Sequence, residues 1–347
     1  MRMILTIGTC GTRPMLLLTK VGVGAVLAIS MLSGCGGKSE GSTSSSTVTA
    51  ATDESRRGAT VVVTHEVLGS IVREVAAEGV DVQVIIPNGK DPHDYEPSAR
   101  DIALLDAADL VVANGENFEP AFDKVLDRRV ADGKAVFFAT QHVTVRDSKE
   151  QFSDEDDHSE DGTHEDESHS EEEQAHGDRD PHFFTDPLTV RELVISLATT
   201  LTASTGISHE ARVGVATTVF NNADAAVRDK FTSLSPGTCK IVTGHDSLGY
   251  LADRYGCEVV GVVIPSSSGL AEATAQDFSD LTKAMKSEKV AAMFVDEGTS
   301  PRVSDRIAGE TGARVVALPS HSVPSSGRYG DYVMAIATAV VGGLSGS

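Results

Sequence analysis

The sequence runs to 347 residues with 51 acidic and 29 basic side chains, a formal charge of −22. Such an excess of acid excludes a nucleic-acid binder, which needs a basic face to displace counterions, and an apolar share of 40% excludes wholesale disorder. An aromatic content of 5% without tryptophan argues against carbohydrate recognition by stacking, and the length predicts two domains.

Arg2, Arg13 and Lys20 precede an apolar run from Val21 to Leu32, which is short for a membrane span but suits a signal-peptide core. The run ends Leu32-Ser33-Gly34-Cys35, a small-residue cleavage site followed at once by cysteine, which resembles the bacterial lipoprotein box. Residues 1–34 are therefore predicted to be removed, and Cys35 to be acylated as the mature N-terminus. Residues 35–57, rich in Gly, Ser and Thr, read as a flexible tether. The predicted location is the extracytoplasmic face of the cell membrane, held by a lipid.

Beyond the tether, strand-like runs alternate with helical patterns. Ala59–Thr64, Val80–Ile86, Leu110–Ala113 and Lys134–Ala139 read as strands, with helices over Val67–Ala77 and Ser98–Ala108. The same grammar returns in the strands Lys240–Thr243, Glu258–Ile264, Ala291–Val295 and Arg314–Leu318, with helices over Ser247–Tyr255, Thr274–Ser287 and Pro301–Thr311. Alternation of this kind predicts parallel sheets built from βα units. Between the halves, about Ser208 to Ser233 reads as one helix of roughly 39 Å at 1.5 Å per residue. The expected organisation is an α/β domain over 58–205, a rigid linking helix over 206–234 and a second α/β domain over 235–347.

An insert within the first domain breaks the pattern. Fourteen acids and a single arginine fall between Asp154 and Asp180, so this stretch carries −13 of the −22. Without apolar periodicity, like-charge repulsion is expected to keep it solvated. It also holds His158, His164, His169 and His176.

Once the leader is removed and Cys35 lipidated, Cys239 and Cys257 remain. An oxidising compartment favours a structural disulfide over two buried thiols, and each cysteine sits just before a strand-like run whose neighbour in a parallel sheet would start close by.

Open α/β sheets bind ligands beyond the carboxyl ends of their strands. Four of the 11 histidines have that placement. His93 follows the strand ending at Ile86, within Asp91-Pro92-His93-Asp94-Tyr95-Glu96-Pro97. His182 lies in Asp180-Pro181-His182-Phe183-Phe184-Thr185-Asp186-Pro187, His245 follows Thr243, and His321 follows the last strand. Two come from each half, which suggests a metal site shared between them.

Together with Ala108-Asp109-Leu110-Val111-Val112-Ala113-Asn114-Gly115, His245-Asp246-Ser247-Leu248-Gly249-Tyr250-Leu251 and Phe294-Val295-Asp296-Glu297, these phrases stand in the same order as in a known family. From about Ala59 to Leu344 the chain resembles the metal-specific solute-binding lipoproteins of zinc and manganese ABC transporters. The resemblance implies two small parallel-sheet α/β domains joined by one long helix, a divalent metal in the interdomain cleft, and an ABC permease as partner. It places the first three ligands on His93, His182 and His245. For the fourth, the family commonly supplies an Asp just after the last strand. His321 falls there, with Asp296 and Glu297 as competitors, whose alternative role is hydrogen bonding or helix capping. His65, just past the first strand, reads as a cleft-wall residue.

An imidazole-rich set suits Zn²⁺, whereas carboxylates would favour manganese; copper also binds nitrogen donors tightly. Each ligating ring should be oriented by a carboxylate or carbonyl, with Asp94, Asp186 and Asp246 as local candidates. The histidines of the insert are expected to collect Zn²⁺ weakly and pass it to the cleft. The expected function is thus a monomeric, lipid-anchored zinc receptor feeding a permease. The alternatives are a manganese receptor of the same family, a secreted zinc hydrolase with Glu297 as base, or an adhesin-like surface protein. No His-Glu-x-x-His or phosphate-loop motif is present, and no nucleophile elbow at a strand-to-helix turn, so no motif supports an enzyme.

Overall fold

The computed structural model describes residues 58–148, 179–264, 273–296 and 301–346. The expectations for the signal peptide, Cys35, the tether, the insert histidines and Glu297 lie outside these residues.

In the first half, β1 (Ala59–His65) leads into α1 (Glu66–Val75) and β2 (Val80–Ile86). There follow α2 (Ala99–Ala107), β3 (Leu110–Ala113), α3 (Asp123–Ala131) and β4 (Val136–Phe138). The strands form a parallel sheet in the order β2-β1-β3-β4. Val61, Val62 and Val63 of β1 are fully buried, as a central strand covered on both faces requires. Each such side chain contributes about 1.5–3 kcal/mol relative to exposure. Helix α2 starts where Ser98 and Asp101 cap each other's backbone N–H groups.

A two-residue antiparallel pair, β5 (Arg146–Asp147) with β6 (Arg179–Asp180), brackets the insert. The chain then forms α4 (Pro187–Glu192), α5 (Val194–Thr205) and the long α6 (Glu210–Phe231). At 22 residues, α6 is about 33 Å long at 1.5 Å per residue. It is shorter than the sequence suggests because His209 and Thr232 already lie outside the regular helix as its caps, and His209 makes no side-chain cap bond.

The second half repeats the first. Its elements are β7 (Lys240–Thr243), α7 (Gly249–Tyr255), β8 (Glu258–Val262), α8 (Ala275–Ser287) and β9 (Ala292–Asp296), then α9 (Pro301–Thr311), β10 (Arg314–Leu318) and α10 (Tyr329–Ser345). The sheet order β10-β9-β7-β8 is that of the first sheet with each strand replaced by its counterpart. The fold is therefore two parallel-sheet α/β units of one topology. In each, the strand order reverses between the two central, parallel strands (β1 and β3, β7 and β9), the place where such sheets open a crevice. A continuous apolar cluster runs from Val61 through Phe220 and Val227 of α6 to Tyr332 and Val340 of α10. Cys239 and Cys257 are joined by a disulfide, with Cα atoms 4.6 Å apart. Among the described residues no helix is long and apolar enough to cross a membrane.

Candidate metal centre

All four predicted histidines converge where the two sheets present their strand ends. His93, His182, His245 and His321 are 3%, 1%, 4% and 8% exposed. Nε2 of His182 lies 3.3 Å from Nε2 of His93 and 3.2 Å from Nε2 of His245. One ligand nitrogen from each of His93, His245 and His321 lies within 4.8 Å of the others. The His321 Nε2 is buried with no hydrogen-bond partner. A tetrahedral ion with metal–nitrogen bonds of about 2.0–2.1 Å has nitrogen–nitrogen edges of about 3.3–3.4 Å. The two short separations match that edge.

Local geometry aims each ring. The tripeptide Asp-Pro-His occurs twice, at Asp91–His93 and at Asp180–His182. In both, the aspartate Oδ1 accepts the backbone N–H of the histidine, at 3.0 Å and 2.9 Å. Asp180 Oδ1 also takes the His182 Nδ1 proton at 2.8 Å, and Asp91 stands 4.0 Å from His321 Nδ1. The His245 Nδ1 proton goes to Asp296 Oδ2 at 2.7 Å, while the Ser320 hydroxyl donates to the other Asp296 oxygen. With Nδ1 carrying the proton, Nε2 of His182 and of His245 present lone pairs to the same point. Neutral imidazoles held this way repel one another unless a proton or a cation lies between them.

The electrostatics favour the metal. Burial, then the neighbouring imidazoles, hold His93 and His182 well below the ordinary histidine range. His321 is lowered as well, chiefly by burial. His245 departs in the other direction: burial would lower it, but the Asp296 carboxylate outweighs that and raises it. Asp296 is held well below the carboxylate range because His245 overcomes its burial. Burial pushes Asp180 up to about 6 against the pull of the His182 backbone and of Arg146. Two buried carboxylates each stand one hydrogen bond from a converging ring, a charge that suits a dication.

The wall is aromatic. Phe118 packs against His65, His93 and His182 with ring centroids 4.9, 4.7 and 5.4 Å apart. It is delivered by a turn in which Glu116 and Asn117 both adopt left-handed backbone angles, φ 51° and 55°, a strained arrangement that places a ring where regular structure would not. His65 takes the role of a wall residue: its Nδ1 accepts the Leu68 N–H and caps α1, which leaves Nε2 with the proton. Burial lowers it to about 3. The oxygens of Asp296 are engaged by His245 and Ser320, so it stands behind the ring of His245.

Sequence reasoning missed Asp180 as an orienting carboxylate and did not tie Asp296 to a particular ring. Among the described residues the carboxylates bonded to the rings are Asp180 and Asp296. Asp186 instead caps α4 and pairs with Arg254 at 2.6 Å, and Asp246 faces Arg146 at 3.8 Å. The repeated Asp-Pro-His was the available signal for Asp180. In the sequence Asp296 reads as a competing ligand with hydrogen bonding as its alternative role, but its partner is not legible there, because the contact with His245 depends on β7 and β9 lying side by side.

Twin α/β units whose facing strand ends hold a buried imidazole cluster define a class of metal-binding protein. The chain belongs to the family described as zinc-uptake complex component A, periplasmic, whose model matches residues 61–340. It is 27% identical over 262 residues to the zinc-binding lipoprotein AdcA of Streptococcus pneumoniae, covering 74% of this chain and 49% of that protein. It therefore spans about half the length of that relative. It is 23% identical over 280 residues to the manganese ABC transporter substrate-binding lipoprotein PsaA of Streptococcus mitis, covering 78% and 83%. Among solved structures, the periplasmic zinc binding protein TroA from Treponema pallidum has the same fold, with a TM-score of 0.67 at 22% identity, covering 82% of this chain and 99% of that one.

Proposed function

We propose that the protein is an extracytoplasmic receptor that captures Zn²⁺ between its two α/β units and delivers it to an ABC permease for uptake. The observation that carries this reading is the packing of three Nε2 atoms at 3.2 and 3.3 Å, with His321 as the fourth donor. An all-imidazole set favours zinc over manganese, which prefers oxygen donors; the likeness to PsaA is the reason to keep manganese as the comparison metal. A fourth imidazole in place of an open position supports a closed binding site over a hydrolytic one. The kinship with lipoproteins supports acylation at Cys35 and tethering by residues 35–57, and the receptor is read as a monomer. The organisation into units over 58–205 and 235–347 with a linking helix over 206–234 belongs to the same reading, and so does the insert with His158, His164, His169 and His176 as a weak collecting funnel.

Capture needs little preparation in this arrangement. His93, His182 and His321 are disfavoured as cations by burial, so their lone pairs are free at neutral pH. Because α6 and α10 share one apolar cluster with the first sheet, release is expected through small local shifts rather than wide hinge closure. The test is metal analysis of the purified mature protein together with zinc titration of His93→Ala, His182→Ala and His245→Ala. One tightly held zinc in the wild type and a large loss in every variant is expected. A wild type that prefers manganese, or variants that bind zinc normally, would overturn the proposal.

A further inference from the structure

The seam between the two units is stitched at both ends of the imidazole cluster. At one end Asn88, past β2, exchanges two hydrogen bonds with the backbone of Val323, at 2.8 and 2.7 Å, and the Gly89 N–H donates to the His321 carbonyl at 3.0 Å. At the other end stands Arg146. Its side chain is 12% exposed, and its Nη1 lies 3.2 Å from Oδ2 of Asp180, the carboxylate whose other oxygen orients His182. The same Nη1 is 3.8 Å from Asp246, next to His245, and Nε binds Asp253 of α7 at 2.9 Å. The Arg146 N–H donates to the Tyr250 hydroxyl at 2.8 Å, and that hydroxyl donates to the Asp180 carbonyl at 3.0 Å. The guanidinium lies flat on the start of α7: a Cβ on Gly249 would fall 2.1 Å from Nη1. A side chain at position 249 would have to displace the guanidinium.

We propose that Arg146 is a positioning residue that sets how long the cleft retains zinc. It joins the carboxylate behind His182, a ligand from the first unit, to the helix behind His245, a ligand from the second. A planar fork with several donors suits this bridging, and a lysine point charge does not reproduce it. Without the guanidinium, Asp180 is a fully buried carboxylate lacking its counter-charge. Its relief is to turn from the ring it orients, which frees His182 to swing off the metal. Loss of the Asp253 contact removes the tie across the seam one layer outside the ligands.

The inference rests on the zinc-receptor reading, and one experiment separates the two. The full mature protein is loaded with one equivalent of Zn²⁺ and mixed rapidly with excess chelator to follow release. A wild type that takes up no zinc sinks the receptor reading before any variant is compared. If it binds, Arg146→Gln is expected to release zinc about 10–100-fold faster, the usual scale for losing an outer-shell partner. Arg146→Lys should fall between the two, and Asp253→Asn should accelerate release by a smaller factor. Co²⁺ bound to Arg146→Gln should show shifted d–d bands, because the ring geometry changes. Wild-type release rates in Arg146→Gln and Asp253→Asn, even with a lowered thermal midpoint, would overturn the proposal. Should Arg146→Gln fail to fold, the 60%-exposed Asp253 decides: release from Asp253→Asn at the wild-type rate overturns it.

Discussion

Asp296→Asn isolates what the carboxylate behind His245 does for zinc. In the wild type one oxygen takes the His245 Nδ1 proton at 2.7 Å and the other takes the Ser320 hydroxyl. An asparagine keeps both contacts, with its carbonyl toward His245 and its NH₂ donating to the Ser320 oxygen, so geometry survives and only charge is lost. A carboxylate on Nδ1–H makes Nε2 a better donor, and removing such a partner lowers metal affinity by about 10–100-fold. The isosteric change belongs at the lower end, about tenfold or about 1.4 kcal/mol, and Asp296→Ala, which also frees the ring, at the upper end. A second effect opposes the first. Asp296 raises His245 in the metal-free protein, so protons compete with zinc there at higher pH in the wild type than in the variant. Competition titrations with a chromophoric chelator should therefore show the tenfold deficit near pH 8, narrowing as the pH falls toward 6. Equal affinities at pH 8, or a deficit that widens on acidification, would refute the assignment of this role to Asp296.

Three further outcomes follow from the same structure. Burial raises Glu119 to about 7 from 4.5, so in the wild type its contribution to stability is present below about pH 4.5 and lost as the pH rises to about 7, a fall of about 3 kcal/mol. Glu119→Gln lacks that fall; urea midpoints of the metal-free proteins should shift in the variant's favour between pH 4 and 8, and a pH-independent difference would count against it. Replacing Cys239 and Cys257 by serine opens a loop of 18 residues and should lower stability by about 3 kcal/mol. Zinc stoichiometry should stay at one, because the bond lies at the opposite end of β7 from His245. Deleting residues 154–178 should abolish weak zinc binding in equilibrium titrations and leave the tight site; loss of the tight site would refute the funnel.

Much of the fold was legible because central parallel strands are written as unbroken β-branched runs, as in Val61–Val63, which no solvent-facing element tolerates. The clustered histidines were legible for a related reason: each comes shortly after a strand or an Asp-Pro turn, where the chain must emerge at the crevice. What connects one strand end to another was not. The Asp296–His245 bond requires β9 beside β7, and the sequence places β8 between them. Arg146 and Asp180 are separated by 34 positions, including the whole insert, so nothing local marks them as partners. Phe118 reaches the cluster through left-handed angles at Glu116 and Asn117, residues that carry no glycine signature. Helix α10 escaped notice because its apolar residues surround it, as burial against α6 and β10 demands, and leave no polar stripe to reveal the period.

On the proposed function the protein must both hold and surrender a cation, opposed requirements that the distribution of contacts would separate. In the proposed site, retention resides in the four buried imidazoles and in the buried carboxylates Asp180 and Asp296, which hold the rings of His182 and His245 by hydrogen bonds. The apolar cluster that includes α6 and α10 ties the units together beneath the site, so the proposed permease cannot empty the cleft by prising whole units apart without exposing that core. What it can alter cheaply is the seam: the Asn88–Val323 pair at one end and Arg146, with its exposed partner Asp253, at the other. Each is a handful of polar contacts near the surface, and each is one bond removed from a ring. His321 stands beside the first stitch, since its carbonyl takes the Gly89 N–H, and His182 is oriented through the second. In the proposed four-histidine site, breaking either stitch would free a single ring, weakening the hold on the cation while the fold stays intact.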